Sequence, residues 1–124
     1  MEQHEKFSWR KRARSFVYAW RGLGRLFREE HNSRIHLVAA LLVVVAGVVV
    51  GLERWEWVAV MGCIGWVIMA EAFNSAIEAV ADRFGGERHP LIAKAKDIAA
   101  GGVLVSAIAS AIIGMIIFLG KLTC

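Results

Sequence analysis

Long apolar runs separated by short polar segments dominate the pattern of this 124-residue chain. Leu37 to Leu52 is an unbroken apolar run, and Ile98 to Gly120 contains no charged residue. Between them, residues 57–70 are also free of charge. Because a helix needs about 20 mainly apolar residues to cross a bilayer, the pattern predicts three transmembrane helices. The predicted spans are residues 35–52, 57–81 and 98–120.

An amphipathic helix is predicted ahead of the first span, at about residues 8–30. Its large apolar side chains fall within about 60° of one another on a helical wheel: Trp9, Phe16, Trp20, Leu23 and Phe27. The opposite side carries arginines: Arg10, Arg14, Arg21, Arg25 and Arg28. Such a helix suits the headgroup plane, where we expect it to bind anionic lipid headgroups. It would serve either as an anchor alone or also as part of a phosphate-binding site.

The predicted fold is therefore all-α, a surface helix followed by three transmembrane helices in one domain of residues 1–124. An apolar fraction of 57% and a mean hydropathy of +0.52 agree with a small integral membrane protein. The net charge of +4 does not predict a nucleic-acid partner, because the basic residues concentrate before the first span without a recognition motif. Cys63 and Cys124 lack the spacing of metal ligands. We expect no cleaved secretory signal, so the first span should remain in the mature protein.

Lysine and arginine are distributed unevenly around the predicted spans. Nine precede Leu37 and four lie between Asp82 and Ile98, whereas one lies in the first loop and one follows the third span. Because positive loops stay in the cytoplasm, the N-terminus and second loop are predicted to be cytoplasmic. The first loop and the C-terminus would then lie outside the inner membrane.

Two polar stretches are predicted to connect the spans. Residues 53–56 join the first two spans and are so short that the second must return antiparallel to the first. Residues 83–95 contain Gly85, Gly86 and the only proline, Pro90. This composition predicts a loop that carries at most a helical turn.

The second span ends in a dense polar segment, E-A-F-N-S-A-I-E-A-V-A-D at residues 71–82. At 100° per residue, its polar side chains lie within about 60° of Glu71: Asn74, Ser75, Glu78 and Asp82. Glu71 lies about 21 Å along the helix from Trp57, inside a hydrocarbon layer of about 30 Å. A charge there costs roughly 2.5–3.5 kcal/mol, so the stripe must face protein, water or a metal. It is either a polar packing seam between helices or a functional site.

The segment E-E-H-N-S-R-I-H at residues 29–36 adds polar groups just before the first span. Histidines 31 and 36 do not share a helical face, so a zinc site is not expected, and both should make interfacial hydrogen bonds. Asn32 and Arg34 are either site residues or interfacial polar groups.

These residues permit phosphoryl transfer. Two carboxylates from different helices can hold Mg²⁺ that is shared with substrate phosphates, and Glu30 and Glu78 lie at a suitable depth. Glu71, deeper in the membrane, could accept the proton of a lipid hydroxyl, and Lys96 could supply a cation for a phosphate. No P-loop, glycine-rich kinase loop or His-Arg-Asp catalytic loop is present, which excludes those classes of kinase.

Two motifs resemble the small bacterial integral-membrane lipid kinases, which comprise prokaryotic diacylglycerol kinase and undecaprenol kinase. They are E-A-F-N-S-A-I-E-A-V-A-D-R at 71–83 and H-P-L-I-A-K-A-K-D at 89–97, and the likeness covers most of the chain. The resemblance implies a homotrimer with active sites between subunits, which uses Mg-ATP to phosphorylate a membrane alcohol. By position, it implies Glu71 as the catalytic base and Glu30 and Glu78 as ligands of Mg²⁺ and of the ATP phosphates. The other residues that it implies at the site are Asn74, Asp82, Lys96 and Asp97.

Y-A-W-R-G at 18–22 and E-H-N-S-R-I-H at 30–36 look more like the undecaprenol kinase branch than the enterobacterial diacylglycerol kinase branch. The predicted acceptor is therefore undecaprenol, with diacylglycerol as the alternative. A one-residue shift of the alignment would exchange Glu30 for Glu29. A proton-coupled transporter or ion-translocating ring subunit also uses a membrane carboxylate, but it needs neither magnesium nor ATP. A non-enzymatic membrane scaffold is the third class considered.

Overall fold

The computed structural model describes residues 6–123, and their backbone is almost entirely helical, without a β-strand. The elements are α1 (Trp9–Glu29), α2 (His31–Val50), α3 (Arg54–Arg83), a single 3₁₀ turn (Gly86–Arg88) and α4 (Pro90–Leu122). Helices α2, α3 and α4 are long and apolar enough to cross a membrane. The all-α prediction and the prediction of three spans are confirmed, and the chain is a multi-pass membrane protein.

A single residue separates α1 from α2. Glu30 has an extended backbone, with φ −103° and ψ 113°, between two helical residues. The polar segment before the first span is therefore part of a helix, since α2 begins at His31 rather than at residue 35. Trp9 and Trp20 of α1 are 79% and 72% exposed, as expected for side chains that meet lipid, whereas Leu26 is buried.

The connection between α2 and α3 is shorter than predicted because α3 begins with a capping box. The Glu53 side chain accepts the backbone N–H of Glu56, and Glu56 Oε1 accepts the Glu53 N–H at 2.9 Å. Helix α3 therefore begins at Arg54 rather than at residue 57. Gly51, with φ 73°, ends α2 in the left-handed conformation that glycine tolerates best.

The predicted loop after α3 is also shorter, because α4 begins at Pro90. Proline suits the first position of a helix, where its missing N–H would have no partner and its φ is already helical. Gly85 and Gly86, with φ of 98° and 55°, make the turn that precedes it. Lys96 and Asp97 thus lie within the second turn of α4, and the prediction that the loop continues to residue 95 is wrong.

Helices α3 and α4 make the most extensive contact in the bundle, and α2 packs against α3. Leu52, Val60 and Ile117 form a small buried cluster near the start of α3 and the end of α4. At Gly47 a side chain would lie 2.8 Å from Leu52 and Trp57, so α2 approaches α3 closely at this point. Most other apolar side chains point outwards, which requires lipid or protein around the bundle.

Candidate functional site

Glu71 is an acid buried between α2 and α3, with 5% of its surface exposed. Its Oε2 accepts a hydrogen bond from Ser33 Oγ at 3.2 Å, and its Oε1 contacts Nδ1 of His36. Ser33 and His36 are three residues apart in α2 and therefore share one face of that helix. Each oxygen of the carboxylate thus has its own partner from α2.

Glu30 reaches α3 from the break between α1 and α2. Ser75 Oγ donates a hydrogen bond to Glu30 Oε1 at 2.9 Å. The neighbouring Glu29 belongs to α1, where its side chain is 62% exposed and lies 3.4 Å from Arg25. Of these two acids, Glu30 is the one that forms a hydrogen bond with the polar stripe of α3, whereas Glu29 pairs with Arg25.

Asn74 and Glu78 occupy the next turn of α3, and both are partly buried. Asn74 Nδ2 donates to Glu78 Oε1 at 3.2 Å. Asn74 Oδ1 is buried and accepts no hydrogen bond from the described residues, which is unfavourable unless a ligand or water satisfies it.

These groups form one polar cluster, which we call the Glu71 seam. Its members are Glu30, Ser33, His36, Glu71, Asn74, Ser75 and Glu78. The oxygens of Glu30, Asn74 and Glu78 are of the ligand type that Mg²⁺ prefers, and substrate phosphates and waters would have to complete a site there. Within residues 6–123, no three His, Cys, Asp or Glu side chains lie close enough to hold a metal on their own.

A second polar group lies where α3 and α4 leave the bundle towards their turn. Lys96 Nζ donates to Asp82 Oδ1 at 2.9 Å, and the Asp82 side chain is 65% exposed. Asp97 follows on an exposed part of α4. Asp82 lies about 16 Å along α3 from Glu71, so Asp82 and the predicted base occupy different depths of that helix.

Asn32 and Arg34 are exposed on α2 and lie outside the Glu71 seam. Arg34 Nη2 lies 3.5 Å from His31 Nδ1. His36 makes its hydrogen bond to Glu71. Neither His36 nor Ser33 was predicted as a site residue. Their three-residue spacing was the only available signal, and it becomes informative only once α2 is known to begin at His31.

A groove of about 700 Å³ runs between α1 and α3, and we call it the α1–α3 groove. Leu23 and Leu26 of α1 and Gly65, Ala72 and Ser75 of α3 are among its walls. Most of its lining is apolar, whereas Ser75 is the residue that binds Glu30. The groove therefore joins the lipid-facing surface to the Glu71 seam.

Comparison with known proteins identifies the family of the chain. The family model of prokaryotic diacylglycerol kinase matches residues 17–118. The chain is 43% identical to the undecaprenol kinase of Bacillus subtilis (strain 168) over 109 residues, which are 88% of this chain and 89% of that protein. It is 37% identical to the diacylglycerol kinase of Escherichia coli (strain K12) over 95 residues, 77% of this chain and 78% of that protein.

A diacylglycerol kinase of Synechocystis sp. (strain ATCC 27184 / PCC 6803 / Kazusa) is 40% identical over 102 residues. The match covers 81% of this chain but 58% of that protein. The resemblance drawn from the two motifs of α3 and α4 is confirmed. The chain belongs to the prokaryotic diacylglycerol kinase family.

Proposed function

We propose that the protein transfers the γ-phosphoryl group of Mg-ATP to the hydroxyl of undecaprenol. Membership of a lipid kinase family supports the reaction class, and 43% identity over nearly all of an undecaprenol kinase supports the acceptor. Diacylglycerol is the alternative acceptor, because diacylglycerol kinases are also similar to most of this chain. The observation that carries the proposal is Glu71, a buried acid at membrane depth whose partners are a hydroxyl and an imidazole.

In the proposed reaction, Glu71 is the general base. Its carboxylate accepts the proton of the lipid hydroxyl as that oxygen forms a bond to the γ-phosphorus. The bond from the γ-phosphorus to the β–γ bridging oxygen breaks, and ADP leaves with that oxygen. A positioned base of this kind contributes about 10²- to 10⁴-fold to a rate. The α1–α3 groove offers a mainly apolar approach for the lipid, because its lining includes Ser75, which donates a hydrogen bond to Glu30.

Glu30 and Glu78 would hold Mg²⁺ together with the phosphates, and Asn74 Oδ1 would add a third oxygen. Bound there, the cation would neutralise charge that develops on the transferred group. Ser75 orients Glu30 towards α3, and Asn74 orients Glu78. These contacts support a role for the two acids at a common site beside α3.

We propose that Asp82, Lys96 and Asp97 make the remaining contacts with the nucleotide, and that Lys96 supplies the cation for a phosphate. Lys96 is 23% exposed and already paired with Asp82. A phosphate would therefore compete with Asp82 for the ammonium rather than meet an isolated charge. Asp97, on the same turn of α4, is open to solvent.

We also propose that the active protein is a homotrimer with sites between neighbouring subunits. The motif resemblance supports three subunits, and the outward-facing apolar side chains of α2, α3 and α4 support an assembly in the membrane. The excess of lysine and arginine before α2 and around α4's start supports a cytoplasmic N-terminus and an external C-terminus. The arginine face of α1 would bind anionic headgroups.

Transfer of labelled phosphate from Mg-ATP in mixed micelles tests the proposal, with undecaprenol and a diacylglycerol assayed side by side. We expect preferential labelling of undecaprenol and no labelling by the Glu71→Gln variant. Preference for diacylglycerol would keep the mechanism and replace the acceptor. If folded, oligomeric protein labels neither lipid, the kinase assignment fails, and a proton-flux assay becomes the appropriate test of the transporter alternative.

A further inference from the structure

We propose that His36 and Ser33 are positioning residues, which hold the Glu71 carboxylate in the orientation that accepts the proton of the lipid hydroxyl. The inference rests on the proposed role of Glu71 as the base. It adds two residues of α2 to a site whose predicted members come mainly from α3 and α4.

The geometry assigns one partner to each oxygen of Glu71. Ser33 Oγ donates to Oε2 at 3.2 Å, and Nδ1 of His36 contacts Oε1. Ser33 is 1% exposed, so its hydroxyl has little access to alternative partners in water. The contact of His36 is through Nδ1, which means that this nitrogen must carry the proton when the carboxylate is ionised.

Such support is needed because a glutamate is intrinsically poorly oriented. The last torsion of a glutamate side chain has a broad distribution, so an unsupported carboxylate samples many directions. A buried ionised carboxylate also requires hydrogen-bond donors, since burial without them is costly. Two donors from one helix fix the plane of the carboxylate and leave lone pairs on its oxygens for the substrate.

The surroundings of His36 make the proposal testable by substitution. Its side chain is 30% exposed, and it lines a groove of about 220 Å³ between α2, α3 and α4. The other side chains around that groove are uncharged and mostly small or aliphatic, such as Ala40 and Ala107. A shorter residue at position 36 therefore enlarges an existing groove.

The decisive experiment replaces His36 with asparagine, glutamine and alanine and measures kcat, KM for Mg-ATP and nucleotide binding in the same micelles. The asparagine amide nitrogen matches the position of Nδ1, whereas the glutamine nitrogen matches Nε2. We expect alanine to lower kcat about 10- to 100-fold, as loss of an orienting partner typically does. Asparagine should restore most of that loss and glutamine little of it, with nucleotide binding unchanged throughout.

Ser33→Ala should lower kcat by about three- to ten-fold, which corresponds to the loss of one ordinary hydrogen bond. Its matched control is Ser106→Ala. Ser106 is equally buried, at 0% exposure, but its hydroxyl donates to the Val103 carbonyl at 2.8 Å, within α4. We expect kcat of this control to stay within about two-fold of the unsubstituted protein.

The outcomes separate this inference from the proposed function. If Glu71→Gln is inactive but His36→Ala keeps its kcat, the positioning role is overturned and Glu71 remains the base. An active Glu71→Gln variant would overturn the base and the positioning role together. Should the alanine variant fail to fold, kcat of His36→Asn and His36→Gln is compared directly. Equal kcat in these two variants would overturn the assignment through Nδ1.

A measurement without turnover gives a second test. Long-range ¹⁵N–¹H spectra of the histidine rings in micelles report which ring nitrogen carries the proton, and the His36 signal is identified by its loss in His36→Asn. We expect protonated Nδ1 in the unsubstituted protein and a changed ring signal in Glu71→Gln. An unprotonated Nδ1 that is insensitive to Glu71→Gln would contradict the proposal.

Discussion

Helix α3 buries two glutamates in opposite chemical surroundings. Glu56 and Glu71 are each 5% exposed. Glu56 lies 2.8 Å from the ammonium of Lys121 and also accepts the backbone N–H of Glu53. Glu71 is held by a hydroxyl and an imidazole instead. Burial alone therefore does not distinguish Glu56 from the proposed base, Glu71, whereas the partners of the two carboxylates do.

The surroundings of Glu56 join the start of α3 to the end of α4, and we call them the Lys121 cluster. Its members are Glu53, Trp55, Glu56 and Lys121. Trp55 Nε1 donates to Glu53 Oε2 at 2.8 Å, and Lys121 lies 4.0 Å from Glu53. Glu53 and Glu56 both take part in the capping box of α3, and both lie near the ammonium of Lys121. Changes here should alter stability, and changes in the Glu71 seam should alter the rate or substrate binding.

The largest expected difference is between Glu71→Gln and Glu56→Gln. The first should lower kcat about 10³-fold, the middle of the range for a general base, while Mg-ATP binding remains measurable. The second should leave kcat within about two-fold and lower the midpoint of thermal unfolding. Initial rates, nucleotide titration and thermal unfolding of both variants check this. An equally large loss of kcat in folded Glu56→Gln would remove the distinction between the two acids.

Glu30→Gln and Glu78→Gln should each weaken Mg-ATP binding by about ten-fold or more, because a charged ligand is lost. The matched control is Glu29→Gln, which removes an acid that is next in sequence but exposed and paired with Arg25. We expect its nucleotide affinity to stay within about two-fold. Titration of the three variants with Mg-ATP measures their nucleotide affinities and tests this prediction. Weaker binding in Glu29→Gln than in Glu30→Gln would mean that α1 and α2 meet one residue earlier in the active protein.

Lys121→Met should lower the midpoint of thermal unfolding by several degrees without changing kcat of the folded enzyme. Glu56 would then be buried without its cation, which is less favourable than removing both charges. The double variant Glu56→Gln/Lys121→Met should therefore be more stable than Lys121→Met alone. Calorimetry in one detergent checks this order. Additive losses from the two substitutions would show that the 2.8 Å contact contributes no coupling.

The smallest expected effect is on lipid affinity. Gly65 lines the α1–α3 groove, and no atom outside its own helix turn lies within 4 Å of where a Cβ would stand. Gly65→Leu should raise KM for the lipid about three-fold and leave KM for Mg-ATP unchanged. Gly62→Leu is the control, because Gly62 has the same free space and lies outside the groove. Equal effects of both substitutions would argue against lipid approach through this groove.

The sequence pattern predicts the spans well because each depends on local composition. Apolar runs locate α2, α3 and α4, and the 3.6-residue period locates the exposed aromatic face of α1. The ends of the helices are harder to predict from the sequence. The start of α4 at Pro90 depends on a turn made by Gly85 and Gly86, and the start of α3 depends on the capping box of Glu53 and Glu56.

For the site, too, the sequence predicts features within one helix but not contacts between helices. Periodicity places Glu71, Ser75 and Glu78 on one face of α3, because that is a property of one helix. It does not say which helix that face meets. The contacts of Glu71 with His36 and of Glu56 with Lys121 join residues far apart in sequence, and they depend on the rotation of one packed helix against another. The two buried acids therefore look alike in the sequence and become different only in the fold.

The outward-facing apolar surface of the three spans also determines what substrate concentration means for this enzyme. Val49 is 79% exposed, Val58 70% and Ile116 68%, so the protein is dissolved in the same hydrocarbon phase as its lipid acceptor. The relevant quantity is then the mole fraction of acceptor in that phase rather than its molarity in the sample. Adding inert detergent at fixed total lipid should slow turnover by dilution in two dimensions, while Mg-ATP, dissolved in water, keeps its ordinary concentration dependence.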